Sequence, residues 1–186
     1  AELVVQLQTL ISRRRDPLLP AVLSVTELHG GTAPNVIPPE VRLSGTLRSF
    51  DEGWRQEALR WLQQATQAVA ALQDVEAHLE VRPGYPVLVN DERAVALVRE
   101  VATMLLGAER VVPFRPVMWA EDFAYYSQRF PAAFWLLGVR PVGCTAMPGL
   151  HHPSFAPSEE ALPLGTALLA AVAWHALGQL ARSRCG

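Results

Sequence analysis

Three short stretches of the sequence carry side chains whose types and spacing suit chemistry. His151-His152-Pro153 sits among Pro148, Gly149 and Pro157, a composition that reads as a loop between a strand and the last helix. Loops at strand ends are where sites are usually built. Two readings stand for these histidines, a metal ligand or a surface pair. Adjacent side chains in an extended segment point to opposite sides, so the two are not expected to bind one ion. Trp119-Ala120-Glu121-Asp122-Phe123 puts two carboxylates directly after an apolar run. Crowded acids suit proton transfer or ligand orientation, because crowding raises one pKa; more often such a pair caps the following helix. Gly30-Gly31-Thr32-Ala33-Pro34-Asn35 joins backbone freedom to an amide held in a turn. Asn35 and an Arg48 on an open sheet face have the donors to hold a carboxylate, although turn chemistry alone also accounts for the stretch. A site built from Cys144, one of the paired histidines and Glu159 fits no standard zinc spacing. His29, His78 and His175 read as a strand end, a solvated strand face and a helix, all weak ligand candidates.

The elements that must position these residues follow from hydrophobic period. Leu3, Val4, Leu7, Leu10 and Ile11 fall at helical spacing and end at Arg13-Arg14-Arg15-Asp16-Pro17, where cations suit a helix C-terminus and proline stops it. Residues 21–28 read as a strand closed by His29-Gly30-Gly31. Val41, Leu43 and Leu47 then alternate with Arg42, Ser44, Thr46 and Arg48, a strand with one covered face and Arg48 on the other. A helix is predicted over 52–72, with Trp54, Ala58, Trp61, Leu62, Ala65, Val69 and Leu72 as its apolar stripe. The alternation over 75–82 predicts another strand. Helix, strand, strand, helix, strand is the split β-α-β-β-α-β unit without its first strand. The first helix has no capping residue before it, so the chain is expected to begin inside that unit, a truncated start, with signal-peptide removal as the alternative. Pro83-Gly84-Tyr85-Pro86 reads as a stiff connector, with the boundary between two subdomains near residues 83–90. Beyond it, Asn90-Asp91 caps a helix carrying Val95, Val98, Val101, Ala102 and Leu105. Short strands are expected at 117–119 and 133–137, a helix at 121–129 between them, and a long helix after Ser158-Glu159-Glu160. Residues 161–181 are apolar enough to raise the question of a membrane span. Pro163, Gly165, His175, Gln179 and the alanine content favour a buried core helix instead.

At 186 residues the chain has room for one large domain or two small ones. Sixteen basic against 18 acidic residues leave a net charge of -2, no field to hold a polyanion, which argues against nucleic-acid binding. Half the residues are hydrophobic and 18% charged, which excludes a disordered chain. Two cysteines, Cys144 and Cys185, make no disulfide framework and no CxxC motif, pointing to a reducing compartment and a cytoplasmic location.

Taken in order, Gly30-Gly31-Thr32-Ala33-Pro34-Asn35-Val36-Ile37-Pro38, Gly45-Thr46-Leu47-Arg48, Gly84-Tyr85-Pro86 with Asn90-Asp91, Glu121-Asp122-Phe123, and Leu150-His151 with Pro153 resemble one family over essentially the whole chain. It is that of the metal-dependent amidohydrolases that include hippurate hydrolase, N-acyl-amino-acid deacylases (aminoacylases) and auxin-conjugate hydrolases. The resemblance implies an α/β zinc-peptidase-like catalytic domain into which a ferredoxin-like α+β dimerisation domain is inserted. Residues 1–83 correspond to the inserted domain without its first strand, and 84–186 to the C-terminal part of the catalytic domain. A dinuclear site is implied, holding zinc, manganese, cobalt or nickel. By resemblance His151 is its last ligand histidine, Asn35 and Arg48 contact the substrate carboxylate, commonly in the partner subunit's site, and Glu121 and Asp122 lie close to the metal centre. His152 stands where a small polar residue is common.

The family's other metal ligands and the Glu acting as general base precede the inserted domain and have no counterpart in this sequence. No catalytic residue is therefore assigned within it, and alone it is expected to be inactive. The implied reaction is metal-dependent hydrolysis of the amide bond of an N-acyl amino acid or peptide by a homodimer, the ions activating water and polarising the carbonyl. No nucleic-acid or membrane partner is implied. A noncatalytic dimerisation or ligand-binding module on the same fold is the alternative.

Overall fold

A computed structural model describes residues 1–184; Cys185 lies outside the described residues. The chain divides into two compact units, one of Ala1–Leu88 with Pro116–Tyr125, the other of Val89–Arg115 with Tyr126–Gly186.

In the first unit α1 (Glu2–Arg14) is followed by β1 (Ala21–Gly30), β2 (Val41–Ser49) and α2 (Glu52–Leu72). The strands pair antiparallel, with Ala21 opposite Ser49 and Gly30 opposite Val41, and the register shifts between Val25 and Glu27. Gly45 sits at this bulge for a steric reason. A Cβ there would lie 2.2 Å from the Ser24 carbonyl oxygen, so the strands approach this closely only with glycine. Helix α1 packs on α2 and β1, and α2 also on β2. Leu7 and Leu10 of α1 and Trp54, Ala58 and Ala70 of α2 are buried. The buried Thr66 hydroxyl donates to the Leu62 carbonyl at 2.8 Å. Asp51 caps α2 by accepting from the Trp54 N–H, and the Arg14 guanidinium lies 5.3 Å from the Trp61 ring centroid.

In the second unit α3 (Glu92–Leu106) packs against α5 (Ala161–Arg184). Val101, Ala102 and Leu168 form the buried centre, with Leu97, Val111, Trp135, Ala171 and Val172 around it. Asp91 caps α3, its carboxylate accepting from the Ala94 N–H at 2.9 Å. Gly107 ends α3 at φ +91, a conformation that side chains resist. Pro163 is tolerated because it falls in the first turn of α5, where its missing N–H has no intrahelical partner to lose. A single turn, α4 (Ala124–Ser127), lies where the chain passes from one unit to the other.

Four expectations are corrected. Residues 75–82 form no strand: Ala77 and Leu79 keep the alternating burial, but the Ala77 carbonyl accepts from the Gln67 side chain at 3.2 Å and no ladder forms. Residues 117–119 form none either, the Met118 carbonyl being taken by Arg48. At 133–137 the Asn90 amide occupies both backbone groups of Phe134, accepting from its N–H at 2.7 Å and donating to its carbonyl at 3.0 Å. Asn90 thus acts as a one-residue strand partner, and Asp91 alone caps the helix. The helix expected over 121–129 shrinks to α4, because the chain turns again at Arg129 and Phe130, whose N–H groups both reach back to the Tyr126 carbonyl. Helix α5 differs in burial rather than in position. It is long and apolar enough to cross a membrane by length and composition, and only 11% of that span is buried. One face meets α3, and Trp174, Leu177 and Leu180 stand exposed.

Candidate active site

Arg48 lies near the end of β2, opposite Val22, and its side chain is on the exposed face that the alternation predicts, while Leu43 and Leu47 are half-buried. Its guanidinium donates to the backbone carbonyl of Met118. That contact brings Arg48 to the segment carrying Glu121 and Asp122, within the same unit. Asn35 is exposed in the β1–β2 connection, in a turn closed by the Val36 N–H donating to the Ala33 carbonyl at 3.4 Å. Glu121 and Asp122 open α4. Their carbonyls accept from the N–H groups of Ala124 at 3.2 Å and Tyr125 at 3.0 Å, and the Glu121 carboxylate lies 3.5 Å from the Phe123 N–H. This is the geometry of a helix start; Asp122 is exposed and Glu121 half-buried.

His151 belongs to the other unit. The His152 N–H donates to the Gly149 carbonyl at 3.2 Å, which makes His151 the third residue of a β-turn, and its φ of +70 is the value a type II turn requires there. Glycine normally fills that position, so His151 holds it under backbone strain. Its ring is exposed, and no hydrogen bond or ion pair to it occurs among the described residues.

An imidazole that is open and unpartnered on a fixed turn fits the role of a single metal ligand. A whole centre does not fit: among the described residues no group of three or more His, Cys, Asp and Glu side chains stands close enough to hold an ion. A hydrolytic zinc site takes about three protein ligands and a water. No step of the reaction is assigned to a metal here.

One arrangement was not foreseen. The rings of Tyr85 and Tyr125 meet edge to face, centroids 6.0 Å apart at 89°, and the Tyr125 hydroxyl donates to the Gly84 carbonyl at 3.4 Å. Both tyrosines lie in the unit that carries Arg48. The Gly84-Tyr85-Pro86 motif was legible only as a connector, because its partner lies 40 residues on.

Comparison with known proteins gives these residues a context. Residues 8–175 match the family described as "Peptidase family M20/M25/M40". The chain is 33% identical to the protein called "IAA-amino acid hydrolase ILR1-like 4" of Arabidopsis thaliana, over 98% of this chain and 42% of that one. It is 34% identical to "N-acetyl-L-cysteine deacetylase" of Bacillus subtilis, over 87% of this chain and 37% of the other. The solved structure of a Bacillus subtilis protein, described as a dinuclear metal binding peptidase of the M20 family, superposes with a TM-score of 0.74 at 27% identity, over 95% of this chain and 44% of that one. The chain belongs to the M20/M25/M40 peptidase family, whose members named here are hydrolases, and it spans less than half the length of the relatives it matches.

Proposed function

We propose that this chain contributes the substrate-carboxylate contact and one metal ligand of a metal-dependent amidohydrolase that cleaves the amide bond of N-acyl amino acids. The observation that carries the reading is Arg48: an exposed guanidinium on β2, already engaging an oxygen acceptor, in a chain of a hydrolase family. Arg48, with Asn35, fixes the free carboxylate and so orients the scissile amide. His151 is one ligand of a site of two divalent ions, and the family resemblance alone assigns Glu121 and Asp122 a role near a metal centre. The remaining ligands and the general base come from polypeptide outside these residues, a reading supported by the chain's coverage of 42% and 37% of two curated relatives.

The helix, strand, strand, helix order of α1, β1, β2 and α2 supports reading residues 1–83 as a ferredoxin-like domain through which two copies pair. Residues 84–186 are then the C-terminal part of the catalytic domain. The sparse cysteine content supports a cytoplasmic location. The test is release of amino acid from N-acetyl and N-benzoyl amino acids by a polypeptide extended to the length of the relatives, with and without chelator. Turnover that chelation abolishes is expected. A metal-free extended protein that pairs and binds these compounds without cleaving them would instead be a noncatalytic module.

A further inference from the structure

His152 is the most heavily bonded residue of the loop that carries His151. Its N–H donates to the Gly149 carbonyl at 3.2 Å, closing the turn that contains His151. Its own carbonyl accepts from the Phe155 N–H at 2.9 Å, closing a second turn through Pro153 and Ser154, with proline at the position whose φ it presets. Its side chain then closes the second turn from within: Nδ1 accepts from the Ser154 N–H at 3.1 Å. Asparagine and aspartate commonly make this bond to the N–H two residues on. A neutral imidazole whose Nδ1 is an acceptor carries its proton on Nε2. The Nδ1 lone pair of His152 is thus engaged inside its own turn. The neighbouring His151 has an exposed ring without a partner among the described residues, on a backbone held at φ +70.

We infer that His152 is a positioning residue: the Nδ1 bond of His152 to Ser154 locks the double turn that keeps His151 in its left-handed conformation and presents its ring. This rests on the reading of His151 as a ligand given above, but its test needs neither substrate nor turnover.

The experiment is nitrogen-15 NMR of the 186-residue chain and two variants, His152→Asn and His152→Ala, with zinc ion alone as the probe. In the parent, Nδ1 of His152 should show the shift of an unprotonated ring nitrogen and Nε2 that of a protonated one. The Ser154 amide should exchange about five- to tenfold more slowly than in His152→Ala, the effect of one net hydrogen bond. Zinc should perturb the His151 ring at lower concentration than the His152 ring. The His152→Ala change should raise the zinc needed at His151 by no more than about five- to tenfold, the most that losing the one hydrogen bond ordering its turn can cost. His152→Asn should retain both Ser154 protection and the His151 response, since its Oδ1 can accept from the same N–H. A proton on Nδ1 of His152, a zinc response at His152 before His151, or an asparagine variant that behaves like alanine would each overturn the assignment. None of these results depends on amide hydrolysis, so failure here and failure of the proposed activity are separable.

Discussion

The guanidinium of Arg48 donates to the backbone carbonyl of Met118, linking the exposed face of β2 to the segment that runs into Glu121 and Asp122. A peptide carbonyl is a neutral acceptor, and a substrate carboxylate offers Arg48 a charged, bidentate one. Arg48→Ala should therefore impair hydrolysis of an N-acyl amino acid by ten- to a hundredfold more than hydrolysis of its carboxamide analogue, in the extended polypeptide. That ratio corresponds to the roughly 1.5–3 kcal/mol of a hydrogen bond to a charged group. Arg48→Lys should recover part of the binding but not the forked geometry. Equal losses on the two substrates would contradict the role.

His151→Ala in the extended polypeptide should lower bound metal and activity together, measured by mass spectrometry and amino-acid release on the same preparation. His152→Ala should do less on both counts. Full metal occupancy in the His151 variant would remove it from the ligand set.

Asn90 gives a stability prediction in the second unit. Asn90→Ala leaves the half-buried N–H and carbonyl of Phe134 without their side-chain partner and should cost about 1–3 kcal/mol in urea unfolding. Asn90→Asp keeps an acceptor for the N–H but sets a carboxylate against the carbonyl, and should be no better than alanine. An alanine variant as stable as the parent would show that the pairing does not matter to the fold.

Legibility in the sequence tracks how local each determinant is. Helix α2 is readable from its apolar stripe, and α3 also from its cap, Asp91 standing three residues before the Ala94 N–H from which it accepts. The hairpin and the exposure of Arg48 are readable from a period of two. The segments at 75–82, 117–119 and 133–137 have strand-like sequences, yet Gln67, Arg48 and Asn90 occupy backbone groups that a strand partner would use. Those side chains are 10, 70 and 44 residues away from the groups they bind, and no local pattern announces them. At the candidate site, type and spacing mark only the His151-His152 pair, the Glu121-Asp122 pair and Asn35 with Arg48, and it is the family resemblance that chooses among their readings. The turn that strains His151 and the bond that orders His152 are local, spanning three and two residues, but histidine is not a residue type whose presence signals either a left-handed turn position or a side-chain acceptor for the backbone.

Acid sensitivity should be measurable at the start of α2. Arg55 donates to Glu52 at 2.6 and 3.0 Å, and this hydrogen bonding holds the Glu52 carboxyl below its ordinary value, against the opposing effect of partial burial. A carboxylate whose folded pKa is depressed adds stability above its unfolded pKa and loses it as pH falls through the folded one. The parent should therefore lose more stability than Glu52→Gln on acidification below the ordinary glutamate range. With the Glu52 side chain 38% exposed, the difference should stay within about 1 kcal/mol. Parallel acid profiles would show that the pair contributes nothing.

The central claim is that these 186 residues supply part of a hydrolytic centre: a carboxylate-binding arginine and one ligand, with the rest of the donor set outside them. Its most direct test is the purified chain itself, assayed for bound metal by mass spectrometry and for amino-acid release from N-acetyl and N-benzoyl amino acids. The prediction is metal well below one ion per chain and no turnover, with both restored when polypeptide carrying the remaining ligands is added. Stoichiometric metal together with turnover by the 186 residues alone would contradict it.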